Sequence, residues 1–291
     1  MLYNEYDSET LKKLQAVSLE ILLDFDRFCL ENSIDYFGCG GTAIGAVRHG
    51  GFIPWDDDID VGMTRKNYDK FLALAEEKLS DKYKVITFKT TENFPLMNAR
   101  FALKGTKFKE DCFKNLEFDN GIFLDIFCFD NIFDDEKKMK KQMWKAWFWG
   151  KMLILWHIDK PVLYFKGFKE KVVLLGCKTG HILLKLFHRK PDKLYIRAEK
   201  YATMLKDEET KRVAYIFDPT PFTSIVNLSD IEPTKTVRFE GYDIHFPNNI
   251  DAYLNVRYGS DYMMLPPEDK RHNHPPYELQ FPEDEETEIN I

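Results

Sequence analysis

Gly38-Cys-Gly-Gly-Thr-Ala-Ile-Gly-Ala-Val-Arg-His-Gly-Gly-Phe-Ile-Pro-Trp-Asp-Asp-Asp-Ile-Asp-Val-Gly62 is the stretch that decides the fold. Residues 34–38 lead into it as a short strand, and Gly40-Gly41-Thr42 turns the chain into a short helix over 43–47. Glycines at that turn let a ligand come close to the backbone, and free amides at a helix start attract phosphate oxygens. After a loop over 49–54, residues 58–61 alternate as a strand. Side chains on a strand alternate between faces, so Asp58 and Asp60 point the same way and Ile59 turns to the core. Two hard oxygen ligands on one face make a site for Mg²⁺ or Mn²⁺ held together with a polyphosphate. Asp56 shares their parity if the strand reaches back that far; Asp57 would point the other way. Four carboxylates in five residues repel one another unless a cation sits among them. The plain alternative is an exposed acidic turn.

A partner acid is expected from a neighbouring strand. Gly121-Ile-Phe-Leu-Asp125-Ile-Phe-Cys-Phe-Asp130 places Asp125 as the single charge in an apolar run. The run reads as a central strand over 122–129, where a lone carboxylate is costly unless it pairs, binds metal or acts as a base. A salt bridge to Arg100 is the structural alternative. Around this core a helix capped by Asp7 or Ser8 carries Leu11, Leu14, Val17, Ile21, Leu22 and Phe25 at helical spacing. Thr64 caps a helix over 65–79, and strands follow over 84–89 and 99–103. Helical pattern then runs from 134 to about 189, with breaks at Pro161 and near Gly176–Gly180. A further helix spans 194–205, a hairpin turns at Glu240-Gly241-Tyr242, and a short helix over 251–258 ends at Gly259. The tail over 283–288, five acids in six residues, is expected to be loose.

The chain has 291 residues, 44% of them hydrophobic and 31% charged, which excludes a collagen-like, coiled-coil or largely disordered protein. Its net charge of −7 is not that of a protein built to coat nucleic acid. Five cysteines (29, 39, 112, 128, 177) without a CxxC pair argue against a disulfide framework or a zinc site, and for buried thiols in a reducing compartment. Neither a signal peptide nor a membrane-spanning run is visible, so a cytoplasmic location is expected. The charge is unevenly spread. Residues 136–190 hold 14 Lys/Arg against three acids, a net of +11 that leaves −18 elsewhere, and four of the five Trp. Such a segment reads either as a helix lying at the inner face of a membrane, drawn by anionic lipid, or as a core helix pair covered by lysine stems.

Gly41-Thr42 with Gly45-Ala46-Val47-Arg48-His49, then Gly51-Phe52-Ile53-Pro54-Trp55-Asp56-Asp57-Asp58-Ile59-Asp60, resembles the LicD family of phosphotransferases, relatives of the fukutin-type transferases. Asp125 in its Leu-Asp-Ile-Phe context matches that family's later acid. Arg257-Tyr258-Gly259 and the Leu265-Pro266-Pro267…Lys270-Arg271…His274 stretch are also similar to it. The likeness covers 34–130 and 237–275 and is weak over 135–230. It implies a nucleotidyltransferase fold and transfer of a phospho-alcohol from a CDP-activated donor, CDP-choline first among them, to a sugar hydroxyl of a cell-surface glycan or lipid-linked glycan. On this pattern Asp58 and Asp60 hold one metal ion. Asp125 helps hold a second or takes the hydroxyl proton. Gly40, Gly41 and Thr42 contact donor phosphate, and Arg48 neutralises the leaving CMP, with His49 a weaker candidate. Lys270 and Arg271 either clamp a phosphate or lie in a solvated loop. His272 and His274 lack the neighbours of a metal site.

The fold class expected is α/β (α+β): a nucleotidyltransferase-like mixed sheet with flanking helices and a helical insertion. The core falls at 1–133, a mostly helical basic and aromatic segment at 134–230, and a segment closing the site at 231–291. Two other functions share these residues: transfer of a nucleotide from a triphosphate to a small acceptor, and non-catalytic glycan or membrane binding by a relict site.

Overall fold

A computed structural model describes residues 6–79, 81–161, 167–187, 189–271, 273 and 275–282. The acidic tail, His272 and His274 lie outside the described residues, as does the side chain of Lys270. Helix α1 (Ser8–Glu31) begins where Asp7 accepts hydrogen bonds from the backbone N–H of Glu9 and Thr10 at 3.1 and 2.9 Å. Such a cap is worth about 1 kcal/mol. Its apolar stripe from Leu11 to Cys29 is buried against the sheet.

Then follow β1 (Phe37–Gly38), α2 (Gly40–His49), β2 (Asp60–Thr64), α3 (Arg65–Lys78), β3 (Tyr83–Ile86), β4 (Ala99–Leu103), β5 (Lys107–Lys109) and β6 (Phe123–Asn131). The helices α4 (Glu136–His157), α5 (Phe168–Leu186) and α6 (Pro191–Ala202) come next. The chain ends in β7 (Arg212–Ala214), β8 (Ile225–Asn227), α7 (Leu228–Ile231), β9 (Lys235–Phe239), β10 (Tyr242–Phe246), α8 (Ile250–Tyr258) and β11 (Glu278–Gln280).

The sheet is mixed, in the order β1-β2-β6-β4-β3. Among the described strands only β2 and β6 run parallel; β1 with β2, β4 with β6 and β3 with β4 are antiparallel. Central β6 buries side chains on both faces, as its nearly unbroken apolar run requires. The abundant phenylalanines pack the space under α1: Phe25 sits 5.0 Å from Tyr36 and 5.5 Å from both Phe71 and Phe101, ring centre to ring centre. A second, smaller core joins Met139, Met143 and Ala146 of α4 to Ala202 of α6 and Ala214 of β7.

Several expected boundaries shift, each for a local reason. The first strand shrinks to β1, and the third ends at Ile86 because the Thr87 and Thr90 hydroxyls close a turn there, 3.0 Å apart. The second strand starts only at Asp60, so face parity does not govern residues 56–58. Residues 176–180 do not break a helix: α5 runs through them, and Gly180 is where α5 approaches α4, since a Cβ there would stand 2.9 Å from Leu155 Cδ2. β7 and β8 add to the sheet through the end of β6, pairing Asp130 with Ala214, which the sequence did not announce. Three cysteines are buried as expected, but Cys112 and Cys177 are only half-buried.

The hairpin β9–β10 turns through Glu240 and Gly241 at φ 49° and 84°, the left-handed pair that two-residue hairpin turns require. Its tip clasps the loop after α2. The Glu240 backbone N–H donates to Gly50 O at 2.9 Å, and its carboxylate accepts from the Phe52 N–H at 2.9 Å.

Candidate active site

The acids gather where β2, β6 and the start of α2 meet. Parallel pairing puts Asp60 directly beside Asp125, and the Asp125 N–H donates to Ile59 O at 3.0 Å. Asp60 is held from the other side by Thr42: its backbone N–H donates to Thr42 Oγ1 at 2.8 Å. Thr42 is therefore buried as a tie between α2 and β2. Gly40 and Gly41 stand against the carboxylates themselves. A Cβ on Gly40 would lie 2.5 Å from Asp60 Oδ2, and one on Gly41 would lie 2.5 Å from Asp56 Oδ2. Gly40 also sits at φ +56°, which favours glycine. No other residue type lets this helix start close over the acids.

Asp56, Asp57 and Asp58 each offer a carboxylate oxygen, all within 4.8 Å of one another. Asp57 is buried and joins this group rather than facing away from it, because 56–59 is loop and not strand. Asp58 is exposed. It borders a cavity of about 140 Å³ lined also by Asp57, Glu110, Asp125, Phe108 and Phe123.

Asp125 carries the salt bridge that was the structural alternative for it, and a second bond besides. Asn98 Nδ2 and Arg100 Nε donate to its Oδ1 at 2.5 and 3.1 Å; among the described residues no donor engages Oδ2. Arg100, 2% exposed, lies 3.8 Å over the Phe123 ring and pairs with Glu110 as well. This cation fixes Asp125 in one orientation.

The electrostatics show strain. Burial, then Asp58, Asp125 and Asp56, push the Asp60 carboxyl well above the usual carboxylate range; Arg257 pulls it back. Burial followed by Asp58 and Asp57 does the same to Asp56. Asp125 is pushed up to about 6 by burial, against the pull of Arg100. Carboxylates crowded under the start of α2, each disfavouring its neighbour's charge, suit a hard divalent cation, so the donor set fits Mg²⁺ or Mn²⁺.

The expected basic residues that the structure describes gather beside Trp55. Arg48 Nη1 donates to the carbonyls of Tyr262 and Met264 at 3.0 and 3.2 Å, and its Nε to His49 Nε2 at 3.0 Å. It pins the C-terminal segment beside the acids rather than bridging to them. Arg271 lies 5.3 Å over the Trp55 ring, and its Nε donates to Pro266 O at 2.8 Å. Arg48, His49 and Arg271 thus form a basic rim next to Trp55, with His49 and Trp55 edge to face. Sequence reasoning missed Asn98 outright and gave Arg257 no target, while Arg100 entered it only as the salt-bridge alternative for Asp125. Arg100 faces Asp125 in register from β4, whereas Asn98 lies in the bend just before that strand, where alternation does not place it. Arg257, the cation nearest in influence to Asp60, pairs with Asp218 and donates to Ser224 Oγ at 2.8 Å. Its Arg257-Tyr258-Gly259 motif was visible, but nothing local announced its target.

The family described as LicD/FKTN/FKRP, nucleotidyltransferase domain, matches residues 33–154, which contain Gly40, Asp58, Asp60, Asn98, Arg100 and Asp125. The lipopolysaccharide cholinephosphotransferase LicD of Haemophilus influenzae is 28% identical over 278 residues, covering 91% of this chain and 96% of the relative. Uncharacterized proteins of Rickettsia typhi and Rickettsia prowazekii match short stretches, at 38% identity over 58 residues and 37% over 71.

Proposed function

The chain is a member of the LicD family, and from that premise we propose that it transfers phosphocholine from CDP-choline to a sugar hydroxyl of lipopolysaccharide or a comparable glycan. The observation that carries the proposal is the in-register pairing of Asp60 with Asp125 beneath the glycine-lined start of α2. Phosphoryl transfer asks for positioning and charge neutralisation more than for covalent help. Asp58 and Asp60 are the residues to hold Mg²⁺ or Mn²⁺, with Asp56 beside them. When bound, the ion neutralises the donor pyrophosphate and the charge that develops on it.

The chain's own residues do the rest. Backbone amides at Gly40 and Gly41 bind donor phosphate oxygens. Asp125, fixed by Asn98 and Arg100 and with its pKa raised toward neutrality, accepts the proton of the sugar hydroxyl. The hydroxyl oxygen bonds to the choline-bearing phosphorus, the bond from that phosphorus to the CMP oxygen breaks, and CMP leaves past the Arg48–Arg271 rim. Product analysis tests this assignment. CMP and a phosphocholine-modified glycan should form from CDP-choline and lipopolysaccharide only with a divalent cation. Pyrophosphate release from CTP with no CMP from CDP-choline would overturn it in favour of nucleotidyl transfer.

A further inference from the structure

Among the described α-helices, α5 alone has no buried residue. Phe168, Val172, Leu175, Ile182 and Leu186 are between 53% and 83% exposed. Their spacing of four, three, seven and four residues lays them along one stripe of a helix that is about 28 Å long. The opposite face is the one that docks. Gly180 meets Leu155, and His181 Nδ1 lies 2.8 Å from the Leu155 carbonyl, so α4 carries α5 and leaves the apolar stripe outward.

The charge beside the stripe is positive. Lys171, Lys178 and Lys185 follow one another at seven-residue steps along one flank, all exposed, and the helix has a single acid, Glu170. The surrounding segment of 136–190 carries +11 in a chain whose total is −7. An apolar stripe of this length open to water marks a docking surface. No helix of the described residues is long and apolar enough to cross a membrane. Exposed apolar side chains rimmed by lysines match an anionic lipid surface, the apolar stripe entering the acyl boundary and the lysines meeting headgroup phosphates.

We propose that α5 docks this protein in the plane of an anionic membrane. The face belongs to a helix one layer removed from the acids: α4 packs Gly150 against Met97, next to the Asn98 that holds Asp125. Docking through α5 therefore holds the transfer site close to the lipid surface without using any of its residues.

The inference stands apart from the catalytic assignment, because it is read without donor or metal. The full chain is sedimented with phosphatidylcholine vesicles, with and without phosphatidylglycerol, at low and high salt. The expected result is binding about tenfold or more stronger to the anionic vesicles, lost at high salt and lost in the double variant Leu175→Glu/Ile182→Glu. Both side chains are exposed, so the melting temperature of that variant should match the parent's and separate lost docking from lost folding. Lys171→Glu/Lys178→Glu should weaken anionic binding alone. No binding to either vesicle, equal binding to both compositions, or binding that survives Leu175→Glu/Ile182→Glu would overturn the proposal. So would a dimer in sedimentation velocity that this variant dissociates while vesicles stay unbound, which would assign the stripe to a second copy of the chain.

Discussion

Replacing Gly40 by Ala tests how closely the start of α2 is fitted to the acids. Gly40 sits at φ +56°, where a residue with a Cβ is strained by roughly 1–2 kcal/mol. The new methyl would stand 2.5 Å from Asp60 Oδ2. Ordinary contact is about 3.5 Å, so the carboxylate has to retreat by about 1 Å. A misplacement of about 1 Å at a reacting centre costs on the order of 10²-fold in rate. Gly50→Ala is the matched control: it carries the same kind of backbone strain at φ +72°, with nothing within 4 Å of the added methyl. The assay is the initial rate of CMP release from CDP-choline, paired with the melting temperature of each variant. Both variants should melt lower by roughly 2–8 °C, and only Gly40→Ala should lose about 100-fold in kcat. A Gly40→Ala enzyme as fast as the parent, or a Gly50→Ala enzyme equally slow, would refute the fit of glycine to carboxylate.

Other consequences concern the charges. The carboxyl of Asp125 is raised from an ordinary value of 3.8 to about 6, so its folded pKa exceeds its unfolded one. Its contribution to stability is full below pH 3.8 and falls away as pH rises through about 6, a loss of about 3 kcal/mol by pH 7. Carbon-detected NMR titration of its carboxyl in the presence of a chelator should show a midpoint near 6, moving down when Mg²⁺ is added; a midpoint near 4 would contradict the burial argument. Arg100→Met leaves Asp125 and Glu110 without their shared cation and should cost about 3–5 kcal/mol in a denaturant titration, whereas a cost near zero would mean that the pair is solvated. Asp60→Asn removes a carboxylate whose charge is disfavoured by burial and its acidic neighbours, so the variant should melt at or above the parent temperature in a calorimeter while turnover disappears.

The sequence told most where chemistry is local. The glycine turn, the acid run and the apolar strand around Asp125 were legible because each imposes a constraint within a few residues: a close backbone approach, a charge that must be compensated, a central strand. The hairpin at Glu240-Gly241 was legible for the same reason, since two left-handed residues announce the turn. Long-range fits were not. Thr42 was legible as a residue at a helix start, but nothing local announced that its hydroxyl oxygen accepts the Asp60 amide N–H. Arg48 was legible as a cation beside the acids, but nothing local announced that its Nη1 also bonds two carbonyls more than 200 residues away along the chain. The parity argument for Asp56 and Asp57 failed because a strand's alternation cannot be extended into the loop before it. The Gly176–Gly180 stretch was misread as a break because close helix–helix approach and helix termination use the same residue.

Asp58 and Asp60 holding a divalent cation under the amides of α2, with Asp125 facing it as the base, is the arrangement on which the proposed reaction depends. Crystals grown with Mn²⁺ and a non-reacting CDP-choline analogue, measured at the manganese absorption edge, test it most directly. An anomalous peak about 2.1 Å from carboxylate oxygens of Asp58 and Asp60, with Asp125 against it and the donor phosphates on the Gly40–Gly41 side, is the predicted result. Manganese bound elsewhere, or donor phosphates bound with no metal on these acids, would contradict it.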